Sequence, residues 1–260
     1  MKKSVILAVV FLMVSTTTFA EFPNEITERV KSSIVAIYDG DILKGSGFFI
    51  DSSGTILTNY HVISDNQYLW SLSFNGKRIK LTRLWEWKNG DLALLKPSNE
   101  NDKKITHFSF LEFEKEANSY IGQEVAAVGH GGGFWQVIKG TIKGWRYNLT
   151  IRSASSEYNF NAIIYSPTIL TYFSGSPLID KNGYVIGINS ASDKLDKSVD
   201  FDGFFSYAIP AYDIKLFIDD FDRMSPLVFP AYHDKPEDVE KNSKNGCAWE
   251  YTPEGKWCKN

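Results

Sequence analysis

Between about residue 30 and residue 210 the apolar positions come in short bursts rather than at helical spacing. "SIVAIYD", "GSGFFID", "TILTN", "DLALLK", "EVAAVG", "YVIGINS" and "FFSYAIP" are each rich in β-branched and aromatic residues, the composition of half-buried strands. Turn formers separate them, among them "DSSG", "FNGK", "KNG" and "DKNG", so the pattern predicts many short strands with tight connections. That spacing implies an all-β sandwich or barrel. Helical periodicity is confined to the two flanks. In "NEITERVKSSIVAIYDG", Ile26, Val30 and Ile34 fit a short amphipathic helix running into a strand. In "PAYDIKLFIDDF", Pro210 suits a first turn, and Ile214, Phe217, Ile218 and Phe221 form an apolar stripe. From residue 223 to 260 the chain is polar, contains Pro226, Pro230, Pro236 and Pro253, and reads as an irregular tail. No internal repeat is visible in the sequence, although a duplicated barrel could hide one.

The two ends change this picture. "MKKSVILAVVFLMVSTTTFAEFP" places two lysines before an apolar run and small residues after it, the form of a secretory signal peptide over residues 1–20. The run from Val5 to Val14 is far shorter than the ~20 residues of a spanning helix. The mature chain is therefore expected to be exported, periplasmic or secreted, with no membrane partner once the signal is removed. At the other end lie Cys247 and Cys258. Export makes a disulfide between them the default expectation, worth about 3 kcal/mol for so short a loop. Half of a metal site is the alternative, but no histidine lies close enough to complete one. Composition narrows the partners. A net charge of −3 with no Lys/Arg cluster gives no footprint for nucleic acid or anionic membrane. A hydrophobic content of 43% can fill the core of one large or two small domains. "GHGGGF" lacks the ending of a phosphate loop, and no His-Glu-x-x-His motif is present, so no metal and no cofactor are expected.

Three local patterns carry chemistry. "GSGFFIDSSGTILTNYHVI" is a strand pair that delivers His61 at the end of the second strand. "NGDLALLKP" opens an apolar strand on Asp91, where a fixed carboxylate can accept the ring N–H of a histidine and select its tautomer. "YFSGSPLIDKNGYVIGINS" sets Ser174 in a tight turn before a strand; a serine hydroxyl is a weak nucleophile unless a base stands beside it. Taken singly, each is an ordinary turn or strand residue. Together, His61, Asp91 and Ser174 follow one another at 30 and 83 residues in an all-β chain, the chain order of the chymotrypsin arrangement on β-barrels.

These stretches resemble the trypsin-fold serine proteases of the bacterial HtrA/Deg group. The likeness covers roughly residues 30 to 222: the His61 block, "DLALLK", "GQEVAAVGHGGGF…GTIKG", "SGSPLIDKNGYVIGIN" and "SYAIPAYDIKLFI". The resemblance implies an all-β fold of two packed six-stranded β-barrels with a C-terminal helix, in a protease domain at residues 21–222; residues 223–260 are the short tail that Cys247 and Cys258 are expected to staple. It implies His61 as general base, Asp91 as its orienter and Ser174 as acyl-forming nucleophile, with the amides of Tyr172 and Ser174 as oxyanion hole. "SPTIL" with Thr168 and Ile169, and "NSA" with Asn189, Ser190 and Ala191, would line the primary pocket. An uncharged Thr168 at the pocket base argues against Arg/Lys specificity and for a small or medium aliphatic residue. The implied activity is an exported serine endopeptidase acting on proteins or peptides.

The chain departs from the family where a Gly-Asn-Ser-Gly-Gly-Pro run is usual, reading Tyr172-Phe173-Ser174-Gly175-Ser176-Pro177 instead. Tyrosine resists the positive φ that glycine adopts, so a loop biased toward a collapsed state is expected. Phe173 cannot form the ion pair that an aspartate before the nucleophile makes in trypsin-type zymogens, so activation by that route is not expected. The forty or so residues after the helix are too few for the PDZ domain usual in the group. The reading from a different class is a protease-fold binding module with a disabled oxyanion hole.

Overall fold

The computed structural model describes residues 22–98, 107–116, 118–131, 133–152, 157–192, 205–228, 248–252 and 255–259. The leader at residues 1–20 and Cys247 lie outside the described residues, and the Cys247–Cys258 pairing therefore does as well. Helix α1 (Asn24–Lys31) runs into β1 (Ile34–Asp39), as the spacing of Ile26, Val30 and Ile34 predicts. The first barrel then adds β2 (Ile42–Phe49), β3 (Ile56–Thr58), a single helical turn α2 (Tyr60–Ile63), β4 (Leu69–Ser73), β5 (Arg78–Trp87) and β6 (Leu92–Pro97). The second contains β7 (Glu124–Gly131), β8 (Phe134–Arg152), β9 (Glu157–Ser166), β10 (Pro177–Ile179), β11 (Val185–Ser192) and β12 (Ser206–Pro210). Helix α3 (Ala211–Val228) follows, then β13 (Ala248–Thr252) and β14 (Gly255–Lys259).

Both six-stranded sheets close, the first in the order β1-β2-β3-β6-β5-β4 and the second in the order β7-β8-β9-β12-β11-β10. The second order is the first with six added to each number. The duplicated barrel that the sequence hides is thus plain in the topology. Closure removes the unpaired edges of an open sheet.

The strands recognised from the sequence are all present. Strands β4, β5, β8 and β9 were not recognised; β8 offers no clean alternation of buried and exposed positions, and its pairing with β9 shifts register twice. The tail corrects the expectation for residues 223–260. The helix continues through Val228, and β13 pairs antiparallel with β14, placing Cys258 opposite Trp249. The bracketing cysteines drew attention to a loop, whereas "AWEYT" and "GKWCK" around Pro253-Glu254 have the make-up of a hairpin.

One apolar cluster fills each barrel, and a third, the largest, lies between them and joins Phe48, Leu57 and Leu94 of the first to Val128, Tyr158 and Ile188 of the second. The end segments cross over. Helix α1 precedes the first barrel yet ties to the second, with Arg29 donating to Asn182 O at 2.6 Å and Lys139 Nζ donating to Phe22 O at 3.0 Å. Helix α3 follows the second barrel yet packs its Phe217 and Phe221 on Trp87 and Trp85 of β5, at ring separations of 6.4 and 6.3 Å. The aromatic "LWEWKNG" stretch is thereby used in packing. Phe221→Ala is expected to destabilise the protein by about 3–4 kcal/mol in urea denaturation, as for other large aromatic deletions in cores. A loss below about 1 kcal/mol, the level of ordinary surface changes, would show that α3 does not clasp the first barrel.

Candidate active site

The histidine is presented by local folding of its own block. Strands β2 and β3 pair through Phe48–Leu57 and Phe49–Ile56. Their turn is closed by Asp51 Oδ1, which accepts from Ser53 Oγ at 2.6 Å and Thr55 N at 3.1 Å. The chain leaves β3 directly into α2, and Val62 and Ile63 sink into the first barrel. That anchor leaves His61 on the outward side of the turn. Arg83 on β5 fixes its far end, donating to Ile63 O at 2.5 Å and Asn66 O at 2.8 Å.

Asp91 closes the turn before β6 with φ of 56°, a left-handed value that aspartate tolerates better than most residues. Asn59 Nδ2 donates to its carbonyl at 3.0 Å. The carboxylate is fully buried. It accepts from the His61 amide at 3.0 Å, from His61 Nδ1 at 2.9 Å to each oxygen, and from Ser190 Oγ at 2.6 Å. A ring that gives its Nδ1–H to this carboxylate keeps Nε2 unprotonated and able to accept a proton. The His61 side chain remains 30% exposed, and Tyr158 of the second barrel stands 5.9 Å from its ring. Burial pushes the imidazole pKa down, but the Asp91 charge and its hydrogen bond outweigh this and raise it above the usual value.

The serine turn is built against the other barrel. Gly175 N donates to Asn189 O at 2.8 Å, Asn189 N to Ser176 O at 2.9 Å, and Ser176 N to Phe173 O at 2.9 Å. Gly175 has φ of 86°, and a Cβ there would stand 2.0 Å from Ser46 O, so no larger residue fits. From the first barrel, Ser46 N donates to Ser174 O at 2.8 Å. The Ser174 hydroxyl donates to Ser190 O at 2.9 Å. Ser174 is thus linked through Ser190 to Asp91 and His61. The three sequence candidates share one hydrogen-bonded cleft, with the serine proton turned to a carbonyl.

Tyr172 has φ of 73°. The loop holds the tyrosine in the left-handed conformation that it disfavours. The strain of about 1–2 kcal/mol is offset by the neighbour. Phe173 is fully buried in the second barrel, lodged where Gly129 and Gly131 of β7 leave room for its ring. Burial of such a ring contributes about 2–3 kcal/mol. The position that carries an ion-pairing aspartate in trypsin-type zymogens is here an apolar anchor. Among the described residues, the amides of Tyr172 and Ser174 donate to no protein acceptor, so both remain available to a ligand.

The pocket candidates divide. Thr168 Oγ1 is buried with no partner among the described residues, and no carboxylate lies near it in sequence. Ile169 is buried, its amide donating to Ser206 Oγ at 2.7 Å. Ser190 and Ala191 lie on β11 and are almost covered. Asn189 turns its amide into the second barrel, donating to Ser176 Oγ at 2.9 Å and accepting from Tyr165 Oη at 2.6 Å. Its side chain is a strut of the serine turn. Sequence reasoning missed Ser46, Asn59, Tyr158 and Arg83, which act through backbone atoms or across the barrels and leave no spacing signal. Among the described residues no group of three or more His, Cys, Asp or Glu side chains could hold a metal ion, and no helix is long and apolar enough to cross a membrane.

The geometry agrees with the comparisons. Residues 45–188 match the family model described as a trypsin-like peptidase domain, and the chain belongs to that family. It is 29% identical over 211 residues to a serine protease Do-like HtrA of Lactococcus lactis, covering 78% of this chain and 50% of the relative. It is 32% identical over 147 residues to a probable periplasmic serine endoprotease DegP-like protein of Bartonella henselae, covering 56% of this chain and 27% of the relative. The matched part of the chain therefore spans half or less of these relatives' length. Among solved structures, an inactive form of Rv3671c from M. tuberculosis H37Rv shares the fold with a TM-score of 0.63 at 18% identity, over 79% of this chain and 94% of that one.

The raised His61 pKa has a sign that can be checked. The Asp91–His61 interaction contributes stability that is full below the unfolded histidine value of ~6.5 and is lost as pH rises through the higher folded value. An NMR titration is expected to place the His61 midpoint above ~6.5, and in Asp91→Asn, where burial remains as the main influence, below it. An unchanged midpoint in the variant would remove Asp91 as the cause.

Proposed function

We propose that this protein is an exported serine endopeptidase, acting in the periplasm or outside the cell, that hydrolyses peptide bonds through an acyl-enzyme. The observation that carries the reading is the hydrogen-bonded chain from Ser174 through Ser190 and Asp91 to His61. In this reading Ser174 rotates its hydroxyl from Ser190 O toward His61 Nε2, a side-chain motion of the fast kind. Oγ then attacks the substrate carbonyl carbon while its proton passes to Nε2. The amides of Tyr172 and Ser174 receive the developing oxyanion. The imidazolium, stabilised by Asp91, gives its proton to the leaving amine, and water repeats the sequence to release the acid. Both relatives, named as serine proteases, support the chemistry, and the one named as periplasmic supports the compartment. Thr168 at the pocket base supports preference for a small or medium aliphatic side chain over Arg or Lys.

The test is intact-mass measurement after exposure to a fluorophosphonate. A single adduct, absent in Ser174→Ala, is expected, with turnover of a peptide substrate falling about 10⁴-fold or more in that variant. Absence of any adduct in the wild-type protein would favour the binding-module reading, in which the Ser190-bound hydroxyl is the permanent state. Peptide hydrolysis is further expected to rise with pH through a midpoint above ~6.5, because His61 must lose its proton to act as base and Asp91 holds that proton more tightly. A rate flat from about pH 5 to 9 would exclude His61 as the base.

A further inference from the structure

We propose that Ser46 is a positioning residue whose hydroxyl holds Tyr172 in its left-handed conformation and so presents the Tyr172 amide to the substrate, an inference that rests on the protease reading above. Ser46 lies on β2 of the first barrel and is fully buried. All of its polar groups are engaged at the serine turn or beside it. Its amide donates to Ser174 O at 2.8 Å and its carbonyl accepts from Thr58 Oγ1 at 2.7 Å. Its hydroxyl donates to Tyr172 O at 3.0 Å and accepts from the His130 amide on β7 at 3.1 Å.

The bond to Tyr172 O has a specific consequence. That oxygen belongs to the peptide plane between Tyr172 and Phe173, whose N–H at Phe173 donates to Leu170 O at 3.2 Å. The plane is therefore held at both edges, and Phe173 is fixed by burial. The Tyr172 N–H belongs to the preceding plane, so its direction depends on rotation about the Tyr172 N–Cα bond, the φ found at 73°. A tyrosine prefers negative φ. Tyr172 is itself 37% exposed, whereas Phe173 beside it is fully covered. Release of the carbonyl lets the loop relax toward negative φ and carries the amide away from its position. Glycine has no such preference. The Ser46 hydroxyl matters because residue 172 is tyrosine, and that dependence can be measured.

Four proteins test it: wild type, Ser46→Ala, Tyr172→Gly and the double variant, each assayed for kcat and KM on a peptide amide and for thermal unfolding. Ser46→Ala is expected to lower kcat at least about tenfold with KM within about threefold, the signature of a lost transition-state interaction. In the Tyr172→Gly background the same change is expected to cost less than about threefold, since glycine takes positive φ unaided. Equal losses in both backgrounds, or none in either, would overturn the proposal. If wild type neither hydrolyses peptides nor takes a fluorophosphonate, the protease reading fails, and the unfolding data still decide the clamp. Ser46→Ala must then lower Tm less with Tyr172 present, where release of the carbonyl also relieves the left-handed strain, than in the Tyr172→Gly background, where the bond is lost with no strain to relieve, and equal shifts would sink it.

Discussion

The constraint on which the rest of the structure depends is the buried carboxylate of Asp91. An ionised carboxylate removed from water costs several kcal/mol unless donors surround it. Asp91 finds three: the amide and ring N–H of His61 and the hydroxyl of Ser190. The first two come from the first barrel and the third from β11 of the second. The charge is fully satisfied only when the barrels are docked in one relation. Barrel apposition and assembly of the site are the same event, and a chain that misdocked its halves would leave a charge buried with an incomplete set of partners. The apolar cluster shared by the barrels supplies most of the attraction, but area burial tolerates sliding. The Ser190–Asp91 bond does not.

The crossed end segments act on the same relation. Helix α1 is bonded to the second barrel and α3 is packed on the first. Each barrel is held by a segment that belongs, in chain order, to its partner. Two similar six-stranded units joined only by the connection before β7 would otherwise separate easily, since interfaces between domains of one chain are often mobile. The cleft that contains His61 and Ser174 lies on the seam between the barrels.

What was legible in the sequence follows from how each interaction is encoded. The His61 block was legible because a strand, a tight turn, a second strand and a histidine all lie within one short stretch. The order of His61, Asp91 and Ser174 gave three weak signals one joint meaning. The strands with dense β-branched and apolar runs could be read, whereas β4, β5 and β9, whose buried positions alternate with polar or partly exposed ones, were not, and β8 could not be: it is exposed on much of both faces, carries Gly140 and Gly144, and owes its existence to pairing with β7 and β9. The hairpin of β13 and β14 was not legible because its two strands are short, five residues each, and lie in a polar, proline-containing stretch. Ser46 was invisible for a different reason. A hydroxyl that donates to a backbone carbonyl 126 residues away imposes no spacing and no periodicity. The same holds for Arg83, which fixes the histidine turn through carbonyl oxygens.

The tyrosine-phenylalanine pair before Ser174 was the feature that put the site in doubt, and the structure gives the two residues opposite roles. Tyr172 adds strain, and Phe173 adds the burial that offsets it. An ion pair at the second position can be made or withdrawn as a charge appears, so it suits a switch. A ring packed against Gly129 and Gly131 cannot be withdrawn without opening a core. The loop is therefore pinned at Phe173, while Tyr172 beside it is held through its carbonyl by the Ser46 hydroxyl. The Ser174 hydroxyl rests on Ser190 O within this framework, and rotation about its own Cα–Cβ bond moves it without displacing the backbone that Gly175, Ser176 and Asn189 hold by hydrogen bonds.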